Sequence, residues 1–200
     1  MTLRSVAGVL AVMALVAGCS GSSSGVVPVP SFSPNPKHSE LVARAHLDRC
    51  PPSRSASVAG GLPDVTLPCL GNGPAVHLSG LGGKPLVVNV WGSWCGPCTQ
   101  EARYLSAVYD AMKGHVRFLG VDDEDDPDSA LDFAAHVDPP MRYPSVVDDN
   151  KQVLVAMSTS EVPITLFVDA DGHLVHRNFG PYHDAASLRA DIAHYLGVAS

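Results

Sequence analysis

Two cysteines separated by two residues, in the run Trp94-Cys95-Gly96-Pro97-Cys98, are the side chains of this sequence best placed to do chemistry. They follow a nearly continuous apolar stretch, 86–91, and precede apolar residues at helical spacing, so the pair is expected where a buried strand gives way to a helix. The unpaired N–H groups and positive end of a helix favour an anion, which lowers the pKa of the first thiol from about 8.5 toward about 7 or below. A Cys95 thiolate of that kind attacks a disulfide to give a mixed disulfide, and Cys98, one helical turn on, resolves it. The Gly96-Pro97 spacer keeps both sulfurs within bonding reach. Zinc is the other use of this spacing, but a structural zinc site needs four ligands. The chain has a single Cys-x-x-Cys, and His173 and His176 lie three apart in an expected strand, on opposite faces. No metal site is expected.

The elements that must position the pair can be read outward from it. Glu101, Leu105, Val108 and Met112 recur at spacings of four, three and four, the mark of an amphipathic helix. A second buried strand is expected over 116–121 and a second helix over 129–137, with Leu131, Ala134 and Ala135 on one side. Strands over 164–168 and 173–178 flank Asp169-Ala170-Asp171-Gly172, a composition suited to a tight hairpin turn. Asp184 is a candidate N-cap for a last helix carrying Leu188, Ile192, Tyr195 and Leu196. The order strand, helix, strand, helix, strand, strand, helix is that of an α/β domain. The acidic run 122–126 lacks the glycine and terminal glutamate of a calcium loop and is expected to be a solvated loop after a strand.

Of the 200 residues, 46% are apolar, 16% charged and 6% aromatic, enough for one globular domain with some chain to spare. Thirteen Lys and Arg against 20 Asp and Glu give a formal charge of -7, the wrong sign for a nucleic-acid partner. The start, Met1-Thr2-Leu3-Arg4 and then an apolar stretch over 6–17, has the order of a secretory signal and falls short of the roughly 20 apolar residues of a membrane span. The expected organisation is a signal segment over 1–18, a flexible Ser/Pro/Gly-rich tether over 19–40, an N-terminal arm over 41–61 and the α/β domain over 62–200. Leu15-Val16-Ala17-Gly18-Cys19 resembles the lipobox of bacterial lipoproteins, which implies lipid on Cys19 and anchorage to the extracytoplasmic face of the cell membrane. With Cys19 assigned to lipid, four cysteines remain. Cys95 and Cys98 form one pair, and Cys50 and Cys69 are left to close a loop of eighteen intervening residues, 51–68. A structural clamp, a redox relay to the active pair and two free thiols are the three readings of that second pair.

The region 62–197 is similar to the thioredoxin superfamily, and within it to the TlpA/ResA/CcmG-like extracytoplasmic thiol–disulfide oxidoreductases. The similarity rests on Trp94 to Cys98, on Lys84-Pro85-Leu86-Val87-Val88-Asn89-Val90-Trp91 leading into them, on Glu101 three places after Cys98, and on Val162-Pro163 before a strand. It implies a thioredoxin-like fold, a central mixed sheet flanked by helices, here with an N-terminal extension. It also implies that Pro163 is a cis-proline beside the active disulfide, that Trp94, Val162 and Pro163 meet the substrate, and that Asn89, Gly96 and Pro97 support the site. Glu101 would tune the thiols or shuttle a proton. Two departures stand out: Asn89 occupies the place of the buried aspartate of cytosolic thioredoxins and cannot accept a proton, and Ser158-Thr159-Ser160-Glu161 replaces a glycine-containing segment.

The implied activity is reduction of disulfides in exported proteins, such as the Cys-x-x-Cys-His of apocytochrome c, with electrons from a membrane donor of the CcdA/DsbD type. No cofactor beyond the Cys95–Cys98 disulfide is implied. The competing expectations are an oxidase or isomerase for exported proteins, a Sco-like copper-carrying lipoprotein, for which the Cys spacer is one residue short, and a binding domain with an inert disulfide.

Overall fold

A computed structural model describes residues 36–199. The signal segment 1–18, Cys19 and the tether up to residue 35 lie outside the described residues. In chain order the elements are α1 (Pro36–Ala45), β1 (Thr66–Leu67), β2 (Val76–His77), β3 (Leu86–Trp91), α2 (Gly96–Met112), β4 (Arg117–Asp123), α3 (Pro127–His136), β5 (Ser145–Asp148), α4 (Gln152–Ala156), β6 (Ile164–Val168), β7 (Leu174–Phe179) and α5 (Ala185–Leu196). Among the described residues no helix is long and apolar enough to cross a membrane.

The apolar run at 86–91 becomes β3, buried at every position, because it lies in the middle of a five-stranded sheet of order β5-β4-β3-β6-β7. β3, β4 and β5 run parallel, β6 is antiparallel to β3, and β7 returns beside β6 as a hairpin, so the sheet is mixed as expected. One face packs against side chains of α2, α3 and α5, including Leu105, Val108, Leu131, Leu188 and Ile192. The other is covered by Leu62, Leu67, Val76, Leu78 and Leu81 from the chain before β3 and by Val153 and Leu154 of α4. Asp184 caps α5, its carboxylate accepting the Ser187 N–H at 2.7 Å.

The N-terminal expectation needs a correction. Residues 36–40 of the expected tether and 41–45 of the arm together form α1. Leu41 and Ala45, one turn apart, are buried against the domain, and His38 and Arg44 contact Asp128 and Asp132 of α3 at 2.7 and 3.1 Å. Two buried residues do not make a legible period, and the helix owes its stability to α3 rather than to its own sequence.

Beyond α1 the arm is stitched to the sheet. Leu70 N–H donates to Ser145 O at 2.8 Å and Val147 N–H to Pro68 O at 2.9 Å, so 68–70 covers the outer edge of β5, which would otherwise present unpaired backbone groups. The Cys50–Cys69 disulfide, with a Cα–Cα distance of 6.0 Å, ties that cover to the arm. The backbone approach is close elsewhere too: a Cβ on Gly80 would lie 2.0 Å from the carbonyl oxygen of Arg54.

The acidic run also departs from expectation. Asp122 and Asp123 are the last residues of β4 rather than a solvated loop, and both are fully buried. The Asp169–Gly172 segment is the expected hairpin turn, with Asp169 Oδ1 accepting the N–H groups of Asp171 and His173 at 3.0 and 2.8 Å. Donor atoms of Asp169, Asp171 and His173 lie within 4.8 Å of one another there, but the Asp169 carboxylate already organises the turn.

Candidate active site

The carboxyl end of β3 delivers the chain, through Gly92 and Ser93, to the cysteine pair. Cys95 is the N-cap of α2, with φ -88° and ψ 106°, and its sulfur accepts the Cys98 N–H at 3.2 Å. Pro97 falls in the first turn, where a missing N–H costs nothing. The two cysteines are joined, with Cα atoms 5.2 Å apart. In this oxidised form Cys95 is 4% and Cys98 2% exposed. Trp94 is 54% exposed beside them, its indole N–H donating to Asp123 O at 3.0 Å. Gly92 makes room for that ring, since a Cβ there would lie 2.5 Å from Trp94 Nε1.

β6 brings the second expected feature to the same edge. Ile164 pairs with Val90, which places Val162 and Pro163 next to the end of β3. The Val162–Pro163 peptide bond is cis, Pro163 is buried, and its carbonyl accepts the Gly180 N–H at 3.0 Å. Val162 packs against both cores. Within the divergent 158–161 segment, Ser158 adopts φ 55°, the left-handed region that favours glycine.

One turn along α2 from Cys98, Glu101 is fully buried. Asn89 Nδ2 donates to its Oε1 at 2.8 Å and to Thr165 Oγ1 at 3.2 Å, and the Tyr182 N–H donates to its Oε2 at 3.0 Å. Asn89 therefore holds the acid in place instead of accepting a proton itself. Burial pushes the Glu101 carboxyl up to about 7, against the opposing pull of the Tyr182 N–H and the Asn89 amide. Thr165, which meets Asn89, and Tyr182, which meets the acid, were not visible as site residues in the sequence, because each arrives from a distant element with no local motif.

A raised carboxyl pKa has a defined signature in stability. Below pH 4.5 Glu101 is protonated in the folded and the unfolded chain alike. Between the ordinary value of 4.5 and the folded value of about 7 only the unfolded chain sheds its proton, so this group's contribution to stability is lost as pH rises through that window. Urea denaturation at the two ends of the window should show Glu101→Gln gaining on the wild type by about 1.4 kcal/mol per pH unit. An unchanged gap would mean that Glu101 is already ionised in the acid range.

Residues 58–192 match the Redoxin family model. The thiol-disulfide oxidoreductase ResA of Geobacillus kaustophilus is 31% identical over 121 residues, 60% of this chain and 68% of that protein. ResA of Bacillus subtilis is 31% identical over 105 residues, 52% of this chain and 58% of the relative. Against the Bacillus ResA proteins the chain spans about three fifths of the relative's length, 58% and 62% in two cases. A crystal structure from Chlorobium tepidum, described as a thiol:disulfide interchange protein DsbE, superposes with a TM-score of 0.59 and 26% identity over 70% of this chain and all of that one. On the extent of the family match and on the ResA similarity, the chain belongs to the Redoxin family and, within the thioredoxin superfamily, to its ResA/CcmG-like branch.

Proposed function

We propose that this protein is a thiol–disulfide oxidoreductase of the cell envelope, with Cys95 as nucleophile and Cys98 as resolving thiol. The observation that carries the reading is the placement of the Cys95 sulfur at the N-cap of α2, accepting the Cys98 N–H, on the sheet edge that also holds the cis Val162–Pro163 bond and one turn before a buried acid. In the reduced protein the Cys95 thiolate attacks one sulfur of a substrate disulfide and the other leaves as a thiolate. Cys98 then attacks the Cys95 sulfur of the mixed disulfide and releases the second substrate thiol. Two electrons pass to the substrate, and the pair is left as the Cys95–Cys98 disulfide. Glu101, neutral or charged near pH 7, takes the proton that Cys98 must lose and returns it on reduction. Val162 offers backbone groups to an extended substrate segment, and Trp94 and Pro163 bound the approach.

The direction proposed is reductive, toward disulfides of exported proteins such as apocytochrome c, with a CcdA/DsbD-type membrane protein as electron source and lipid on Cys19 as anchor. The similarity to proteins named thiol-disulfide oxidoreductase ResA supports the exchange chemistry on which that direction rests. The reduction potential tests the direction. A value near that of thioredoxin, about -270 mV, is expected; one near about -120 mV would make the protein an oxidant of exported thiols instead.

A further inference from the structure

The carboxyl end of β4 carries an acid that thiol exchange as described does not use. Asp122 is fully buried, in register with Trp91 of β3, and no N–H or O–H of the described residues donates to either of its oxygens. The side chain that acts on it most directly is another carboxyl group, that of Asp125. Asp125 is already committed: its Oδ1 accepts the Asp126 N–H at 2.8 Å and its Oδ2 the Ser93 N–H at 2.5 Å. Ser93 lies two residues before Cys95.

A fully buried carboxyl group with a second carboxyl beside it does not ionise along with its neighbour; the two hold one proton between them. Which of them keeps it follows from their partners. Two backbone N–H groups stabilise charge on Asp125, while Asp122 is buried and has none. The other charged groups acting on Asp122 are Asp123 and Asp149, both acids, and each opposes a further negative charge there. Burial, then Asp125, pushes the Asp122 carboxyl up to about 9.

We propose that Asp122 is a positioning residue for the redox loop: as a neutral acid it donates a hydrogen bond to Asp125, and Asp125 in turn fixes the Ser93 amide and the backbone that presents Cys95. The functional half of this proposal rests on the thiol-exchange reading; the pairing of the acids does not.

The oxidised wild-type protein separates the two. Its only tryptophans, Trp91 and Trp94, flank this network, so their fluorescence, followed from neutral to alkaline pH, is expected to show a step near pH 9 as Asp122 ionises. Asp122→Asn keeps a donor toward Asp125 but cannot ionise, so the step should vanish while the rate of disulfide exchange at neutral pH stays within about twofold of wild type. Asp122→Leu removes the donor and should slow exchange by roughly tenfold or more. A wild-type protein without the step, a step that persists in Asp122→Asn, or equal slowing in both variants would overturn the proposal. If Asp122→Leu does not fold, the asparagine variant alone decides. Because the fluorescence is read on the disulfide form, its failure is distinct from a failure of exchange activity.

Discussion

Replacing Cys95 with serine is expected to bring reduction of a protein disulfide down to the uncatalysed rate, a loss of at least about a thousandfold, while Cys98→Ser strands the enzyme as a covalent adduct. The asymmetry comes from the two environments. Cys95 Sγ sits at the N-cap position of α2 and already accepts the Cys98 N–H, so a thiolate there inherits a donor and the positive end of a 17-residue helix. Cys98 lies inside the first turn, nearly inaccessible, one turn from the buried carboxyl group of Glu101. Both sulfurs are buried in the disulfide form, so the asymmetry rests on the N-cap donor that only Cys95 has. Mass spectrometry of Cys98→Ser incubated with oxidised substrate should therefore find a mixed disulfide through Cys95. Equal trapping by Cys95→Ser would reverse the assignment, and trapping by neither would leave the Cys95–Cys98 pair without the proposed role.

Much of this site could be read from the sequence because its chemistry is local. Cys95, Cys98 and Glu101 fall on successive turns of one helix, and the strand that feeds that helix announces itself by six consecutive buried residues. The cis bond at Pro163 was reached through family resemblance alone, since nothing in the residues around it separates cis from trans. The cis Asp138–Pro139 bond went unforeseen for the same reason. The acidic run shows where polarity misleads. Asp122 and Asp123 look like solvent-facing residues in a list, yet the carboxyl end of a central strand is covered by the redox loop on one side and by the chain around α4 on the other. Register decided their burial, and register is not local. β5 and α4, of four and five residues, are likewise too short to carry a period of their own. They form because β4 offers an edge and the core beside it offers a place for Val153 and Leu154.

The second disulfide has consequences that separate a clamp from a relay. Joining Cys50 to Cys69 closes a loop with a sequence separation of 19, and removing that closure by Cys50→Ala with Cys69→Ala should cost about 3 kcal/mol through the greater freedom of the unfolded chain. For a domain of this size the melting temperature should fall by roughly 6–12 °C. The loss has a local address. Cys50 N–H donates to Asn72 O at 2.9 Å, a Cβ on Gly73 would come within 2.8 Å of Cys50, and 68–70 is hydrogen-bonded along β5. Hydrogen exchange at Leu70 and Val147, whose N–H groups make that seam, is therefore expected to accelerate more than exchange at Val88 in the centre of β3. Cys95 and Cys98 pack in the core on one face of the sheet and Cys50 and Cys69 in the core on the other, so disulfide exchange at a temperature where the variant is folded should stay within about twofold of wild type. A variant with unaltered stability but lost exchange would make Cys50 and Cys69 partners in electron transfer. Non-reducing peptide mapping of the oxidised protein that found both thiols alkylatable would remove the covalent clamp altogether and leave the edge of β5 covered by hydrogen bonds alone.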